Sequence, residues 1–149
     1  MRNVNGGFFL NLALNEAKAA FLKGEVPVGA VIVKDNNVIA TAHNLVETNT
    51  CALHHAEIVC LEKAFQKLSA PFLNECDLYV TLEPCAMCAG AIALARIRRV
   101  YFGAYDPKGG FVEHQARIFK YTLHKPEVYG GILEEECAKL LTTFFKNKR

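Results

Sequence analysis

Three consecutive segments in the middle of the chain constrain its fold most: "DLYVTL" (77–82), "CAMCAGAIALA" (85–95) and "RRVYFGA" (98–104). They read as a buried strand, a short apolar helix and a second strand. Two strands joined through a helix need a crossover connection, which makes them parallel, and parallel strands are covered by helices on both faces. The class is α/β. Upstream, "VGAVIVK", the turn "DNN" and "VIATAH" read as a hairpin over residues 28–43, so the sheet also holds an antiparallel pair.

Helical spacing recurs on either side of these strands. Phe9, Leu12, Ala13, Ala17, Ala20 and Phe21 predict an amphipathic helix over 8–22, stopped at Gly24. Ile58, Leu61, Phe65 and Leu68 predict another from His55 to Leu68, and "EEECAKLLTTFFKNKR" a closing helix. Between them, "YDPKGG" (105–110) is loop and residues 113–123 are expected to be helical. At 149 residues and 52% hydrophobic, with no repeat or linker, the chain is expected to form one domain over 1–149.

No run approaches the roughly 18 apolar residues that a membrane-spanning helix needs, so no membrane partner is expected. The opening apolar run is broken by Asn11 and Asn15 and is read as mature protein rather than a signal peptide. The net charge of +2 neither demands nor excludes a nucleic-acid partner, because clustering matters more than the sum; "RIRR" (96–99) and "FFKNKR" (144–149) are the local basic clusters. Six cysteines without an export signal point to the reducing cytoplasm, where closely spaced thiols serve metal or redox chemistry more often than disulfides. Cys60 and Cys137, among apolar neighbours, are expected to be buried small hydrophobes.

The chemistry concentrates in "TLEPCAMCAGAI" (81–92). Pro84 suits a first helical position, placing Cys85 and Cys88 on one side of the first turn, where unpaired amides and the helix dipole favour thiolates. Zinc takes cysteine sulfur and histidine nitrogen, so a third ligand is required, and His55 in "HHAEIVCLEKA" is the leading candidate. Glu57 follows two residues later. Positions i and i+2 serve one pocket only when it lies off the helix end, so two helices are expected to aim their N-termini at one metal. Where no fourth protein ligand exists, water fills the open position with its pKa lowered to about 7, and a neighbouring carboxylate can carry protons. Glu57 fits that carboxylate.

Together, "HAE" and "PCAMC" match the H-x-E…P-C-x-x-C pattern of zinc-dependent nucleobase deaminases. With "VPVGAVIV", "AHN" and "RRVYFGAYD" in the same order, most of the chain resembles the bacterial tRNA-specific adenosine deaminases. The resemblance implies a cytidine deaminase-like fold, a three-layer α/β/α sandwich with a mixed central sheet. It also implies one zinc per subunit on His55, Cys85 and Cys88, with Glu57 moving protons as water adds to C6 of a flipped-out wobble adenine and ammonia leaves, giving inosine. Asn44 would contact the base, Pro27, Val28 and Pro84 would shape the pocket, and Asp106 would meet the RNA near the target nucleotide. A tRNA anticodon loop and a homodimer are the implied partners.

The chain departs from the family in places. Members commonly read "PTAHAE" where this chain reads "ALHHAE", so His54 replaces a small residue and is expected to pack or face the surface. After Asp106 a small-residue segment is replaced by "PKGGFVEHQARIFK", and Leu123 stands where an asparagine often precedes the later histidine. Two other functions remain open at this stage: a deaminase of free guanine, cytosine or a nucleoside, and a non-catalytic RNA-binding module whose closed structural zinc takes Cys51 or His54 as fourth ligand.

Overall fold

The computed structural model describes residues 6–148. In chain order its elements are helix α1 (Gly6–Leu22), strands β1 (Gly29–Lys34) and β2 (Asn37–His43), helix α2 (Ala56–Leu68), strand β3 (Cys76–Leu82), helix α3 (Ala86–Leu94), strand β4 (Arg99–Ala104), a 3-10 turn at Ile118–Lys120, strand β5 (Glu127–Tyr129) and helix α4 (Glu134–Asn147). The sheet runs in the order β2-β1-β3-β4-β5. β1 is antiparallel to both its neighbours, whereas β3, β4 and β5 are parallel. The sheet is mixed, as expected.

The hairpin forms because Asp35 and Asn36 accept positive φ (52° and 62°), the two-residue geometry that matches strand twist. On the strands, side chains alternate between two cores. Ala30, Ile32, Leu78, Val80, Val100 and Phe102 pack with α2 and α3. Val31, Val33, Tyr79 and Tyr101 pack with α1 and α4. Tyr79, Tyr101 and Tyr129 stack across neighbouring strands, with centroids 4.5 and 5.0 Å apart. α1 lies so close to β1 that a Cβ on Gly29 would meet the Ala13 carbonyl and come within 2.6 Å of the Ala17 nitrogen. Cys60 and Cys137 are buried, as expected. None of the described helices is long and apolar enough to cross a membrane.

Three local expectations need correction. Pro84 is not the first helical residue; Cys85 is the N-cap of α3, extended at φ −74° and ψ 176°, and Pro84 precedes it. Residues 113–123 hold only the short 3-10 turn, because Gln115 and Arg117 adopt positive φ (48° each) and the amides of Glu113 and His114 bond a distant side chain instead of a helical carbonyl. The closing helix stops at Asn147. Strand β5, three residues long, carried no period in the sequence.

Candidate metal centre and substrate pocket

The N-termini of α2 and α3 converge at the carboxyl end of β3. His55 is the N-cap of α2 and Cys85 that of α3; the His55 side chain does not bond back to α2, whereas the Cys85 sulfur meets Cys88 in the first turn of α3. His55 Nδ1 lies 3.5 Å from Cys85 Sγ and 3.7 Å from Cys88 Sγ, and one ligand atom from each residue lies within 4.8 Å of the others. An ion with tetrahedral bonds of about 2.3 Å to sulfur and 2.05 Å to nitrogen has an S···N edge of about 3.6 Å. The donor set is thus spaced to hold a metal ion. Among the described residues no other group of this kind occurs.

Electrostatics supports that use. The Cys88 thiol, donating to Cys85, together with the His55 ring, brings the Cys85 thiol down to about 4. Cys88 itself is pushed up by the same contact and by burial, and Cys85 raises His55. A thiol lowered that far is readily available as a metal ligand, and Cys88 gives up its proton on metal binding. Glu57, 4% exposed, stands in the first turn of α2, and burial pushes its carboxyl up to about 7. A carboxyl poised there can both take and give a proton near neutral pH.

His55, Glu57 and Cys85 line a cavity of about 240 Å³ together with Val28, Asn44 and Asp106. Val26, Ala56, Leu82, Glu83 and Gly109 complete its wall, none of them anticipated from the sequence. Pro27 and Pro84 are buried but do not line it; the Pro84 carbonyl instead accepts the Phe111 amide at 2.9 Å. Asn44 Oδ1 accepts the Val46 amide at 2.9 Å. Asp106 Oδ1 accepts the Gly109 amide at 2.9 Å, folding the lip of the cavity. His54 turns away from the group, its ring 3.0 Å from Asn49 Nδ2 and 3.8 Å from Glu62 Oε1, and neither it nor Cys51 joins the three donors. A larger hollow of about 350 Å³, lined by Lys34, Leu68, Phe72 and Glu75, lies at the other end of β1 and β3 and holds no such group.

Two buried carboxylates hang the loops that flank the pocket. Glu25, 1% exposed, accepts the amides of Glu47 and Thr48 and the Thr48 hydroxyl (3.1, 2.6 and 2.6 Å) on the Asn44 side. Burial alone would raise its pKa, but those donors bring it below the ordinary value. Glu83 does the same on the Asp106 side through the amides of Asp106, Glu113 and His114 and the His114 ring. A charged residue in apolar surroundings just ahead of a proline was the sequence signal for each.

The basic clusters resolve differently. Arg98 forms two parallel bonds of 3.0 Å to Asp77, Arg99 pairs with Asp77 and Glu127, and Arg96 stacks on Phe72. At the other terminus Phe144 is buried against Phe21 while Phe145 is half exposed. Arg149 lies outside the described residues.

The chain is similar to known proteins in sequence and fold. Residues 7–149 match the family of MafB19-like deaminases. The chain is 49% identical to the tRNA-specific adenosine deaminase of Agrobacterium fabrum over 143 residues, covering 95% of this chain and 94% of that one. It is 46% identical to the enzyme of the same name from Bacillus subtilis, covering 95% and 89%. A solved structure from work on A-to-I editing by tRNA:A34 deaminases at the wobble position of transfer RNA superimposes with a TM-score of 0.88 at 48% identity, covering 90% of this chain and 99% of that one.

Proposed function

The chain belongs to the MafB19-like deaminase family, and we propose that it is a zinc-dependent hydrolase that converts the wobble adenosine of a tRNA anticodon to inosine. The observation that carries the reading is the grouping of His55, Cys85 and Cys88 beside a buried Glu57 in one cavity. Relatives nearly half identical along the whole chain bear the name tRNA-specific adenosine deaminase, which supports the substrate. Zinc suits two thiolates and an imidazole, and when bound it acidifies water and polarises the reacting centre.

The chain's own residues supply the rest. At about 240 Å³ the cavity is below the roughly 300–1,000 Å³ common for sites that enclose drug-sized ligands, which suits a single flipped base. Asn44, with Oδ1 engaged by its own loop, offers its Nδ2 hydrogens to the base. Glu57 takes one proton from the attacking water and passes it to the ring nitrogen, then takes the second from the new C6 hydroxyl and gives it to the departing amine, so that adenosine and water give inosine and ammonia. Asp106 and its loop meet the nucleotides beside the target, since single-stranded loops let bases splay out. The protein works as a homodimer on the anticodon loop, in a cytoplasm reducing enough to keep its six cysteines free.

The test is inosine formation in an unmodified tRNA with adenosine at the wobble position, comparing native protein with Glu57→Ala and measuring zinc in both. Native protein is expected to form inosine, and the variant to lose about 10²–10⁴-fold in rate while keeping its metal. A metal-loaded native protein that forms none refutes the tRNA reading and sends the search to free nucleobases.

A further inference from the structure

The segment 105–114 carries Asp106 and Gly109 into the pocket wall without forming a helix or strand, so its amides need partners elsewhere. One side chain takes four of them. Glu83, whose side chain has no exposed surface, accepts the Asp106 amide through Oε1 at 3.0 Å. Its Oε2 accepts the amides of Val112, Glu113 and His114 at 3.2, 2.8 and 3.0 Å, and the His114 ring nitrogen lies 2.8 Å from Oε1. The loop comes so near that a Cβ on Gly110 would run into the Glu83 carboxyl carbon. The next two residues continue the arrangement: the Pro84 carbonyl takes the Phe111 amide, and Cys85 is one of the three grouped metal donors.

We infer that Glu83 is a positioning residue that sets the RNA-side wall of the pocket. By gathering four amides and an imidazole onto one carboxylate, it fixes Asp106 and Gly109 relative to the Cys85 sulfur, and so governs how tightly the nucleotide bearing the reacting base is held. The identity of that nucleotide rests on the deaminase reading above. Only an acceptor on every lone pair serves here. Glutamine would turn an NH2 group toward amides that also donate, and aspartate, shorter by one bond of about 1.5 Å, would not span both ends of the loop.

The test compares native protein, Glu83→Gln and His114→Ala by zinc content, by hydrogen exchange of the amides of residues 106–114, and by steady-state inosine formation on wobble-adenosine tRNA. In Glu83→Gln the exchange of these amides is expected to rise, with KM for tRNA up roughly tenfold or more, kcat within a few-fold and zinc unchanged. His114→Ala, which removes the ring's bond to Glu83 and its edge contact with Tyr105 but leaves the four amides in place, moves both readouts the same way by less. An unchanged KM, or a loss confined to zinc content and kcat, overturns the inference, because Glu83 would then serve only packing or the metal helix. If Glu83→Gln does not accumulate as folded protein, an unchanged KM and unchanged exchange in His114→Ala overturn it. Should native protein make no inosine, the deaminase reading fails separately, and unchanged loop exchange in Glu83→Gln refutes the clamp itself.

Discussion

Replacing Arg98 with alanine separates a basic cluster that holds the fold from one that holds RNA. Arg98 donates two parallel bonds of 3.0 Å to Asp77, whose side chain is only 7% exposed. Truncation leaves that carboxylate with Arg99 at 3.6 Å as its remaining cation. A bond to a charged group contributes about 1.5–3 kcal/mol when desolvated, but the Arg98 side chain is 41% exposed and Arg99 compensates in part, so the loss is about 1–3 kcal/mol. For a chain of this length that lowers Tm by roughly 3–10 °C. The tRNA interface is expected to feel nothing. β3 and β4 are parallel, the pocket lies at their carboxyl ends, and Arg99 opens β4 while Ala104 closes it; five steps of about 3.3 Å put the cluster some 17 Å from that end. The assay is thermal unfolding beside tRNA binding from about 50 to 200 mM salt. Every phosphate left without its protein cation reduces the slope of log K against log salt by about 0.7–0.9. A slope reduced by that amount, with Tm unchanged, would refute the structural assignment of "RIRR".

Two further outcomes test the framework around the pocket. Glu25 has a folded pKa below its ordinary value of 4.5, so its contribution is present above about pH 4.5 and is lost as pH falls through the folded value. Glu25→Gln should therefore be less stable than native protein at pH 7 by urea unfolding, with the gap narrowing at pH 3.5; a gap that stays constant would count against the bonds to Glu47 and Thr48. Gly29→Ala forces a methyl group against the α1 backbone at Ala13 and Ala17 and should cost about 1–3 kcal/mol or more, read as a lower urea midpoint at unchanged m. An unchanged midpoint would mean that α1 shifts on β1 without penalty.

The legible parts of this molecule are those written in local patterns. The spacing of His55 and Glu57 called for a pocket beyond a helix end, and the two N-caps at His55 and Cys85 meet there because each helix begins where a side chain with metal affinity ends an extended segment. The hairpin was legible in "DNN", where two residues tolerate positive φ. β5 was not, since three residues with an exposed, half-buried, exposed pattern become a strand only because β4 offers an open parallel edge. The 113–123 segment has helical composition, yet amides that would start a helix are taken by a carboxylate some 30 residues away.

That last case marks the physical boundary of reading one sequence. Glu25 and Glu83 both sit in apolar surroundings just ahead of a proline, and an ionised carboxylate there is costly unless several donors converge on it. The need for donors is therefore visible in the sequence. Their identity is not, because it depends on which loops leave the carboxyl ends of β2 and β4 and fold back over the sheet, and that follows from the strand order β2-β1-β3-β4-β5. With β1 and β3 adjacent between β2 and β4, the loop after β2 reaches Glu25 ahead of β1, and the loop after β4 reaches Glu83 at the end of β3. The pocket lies between them, so the topology that hides these contacts from the sequence is also what places Asn44 and Asp106 in one cavity with the three metal donors.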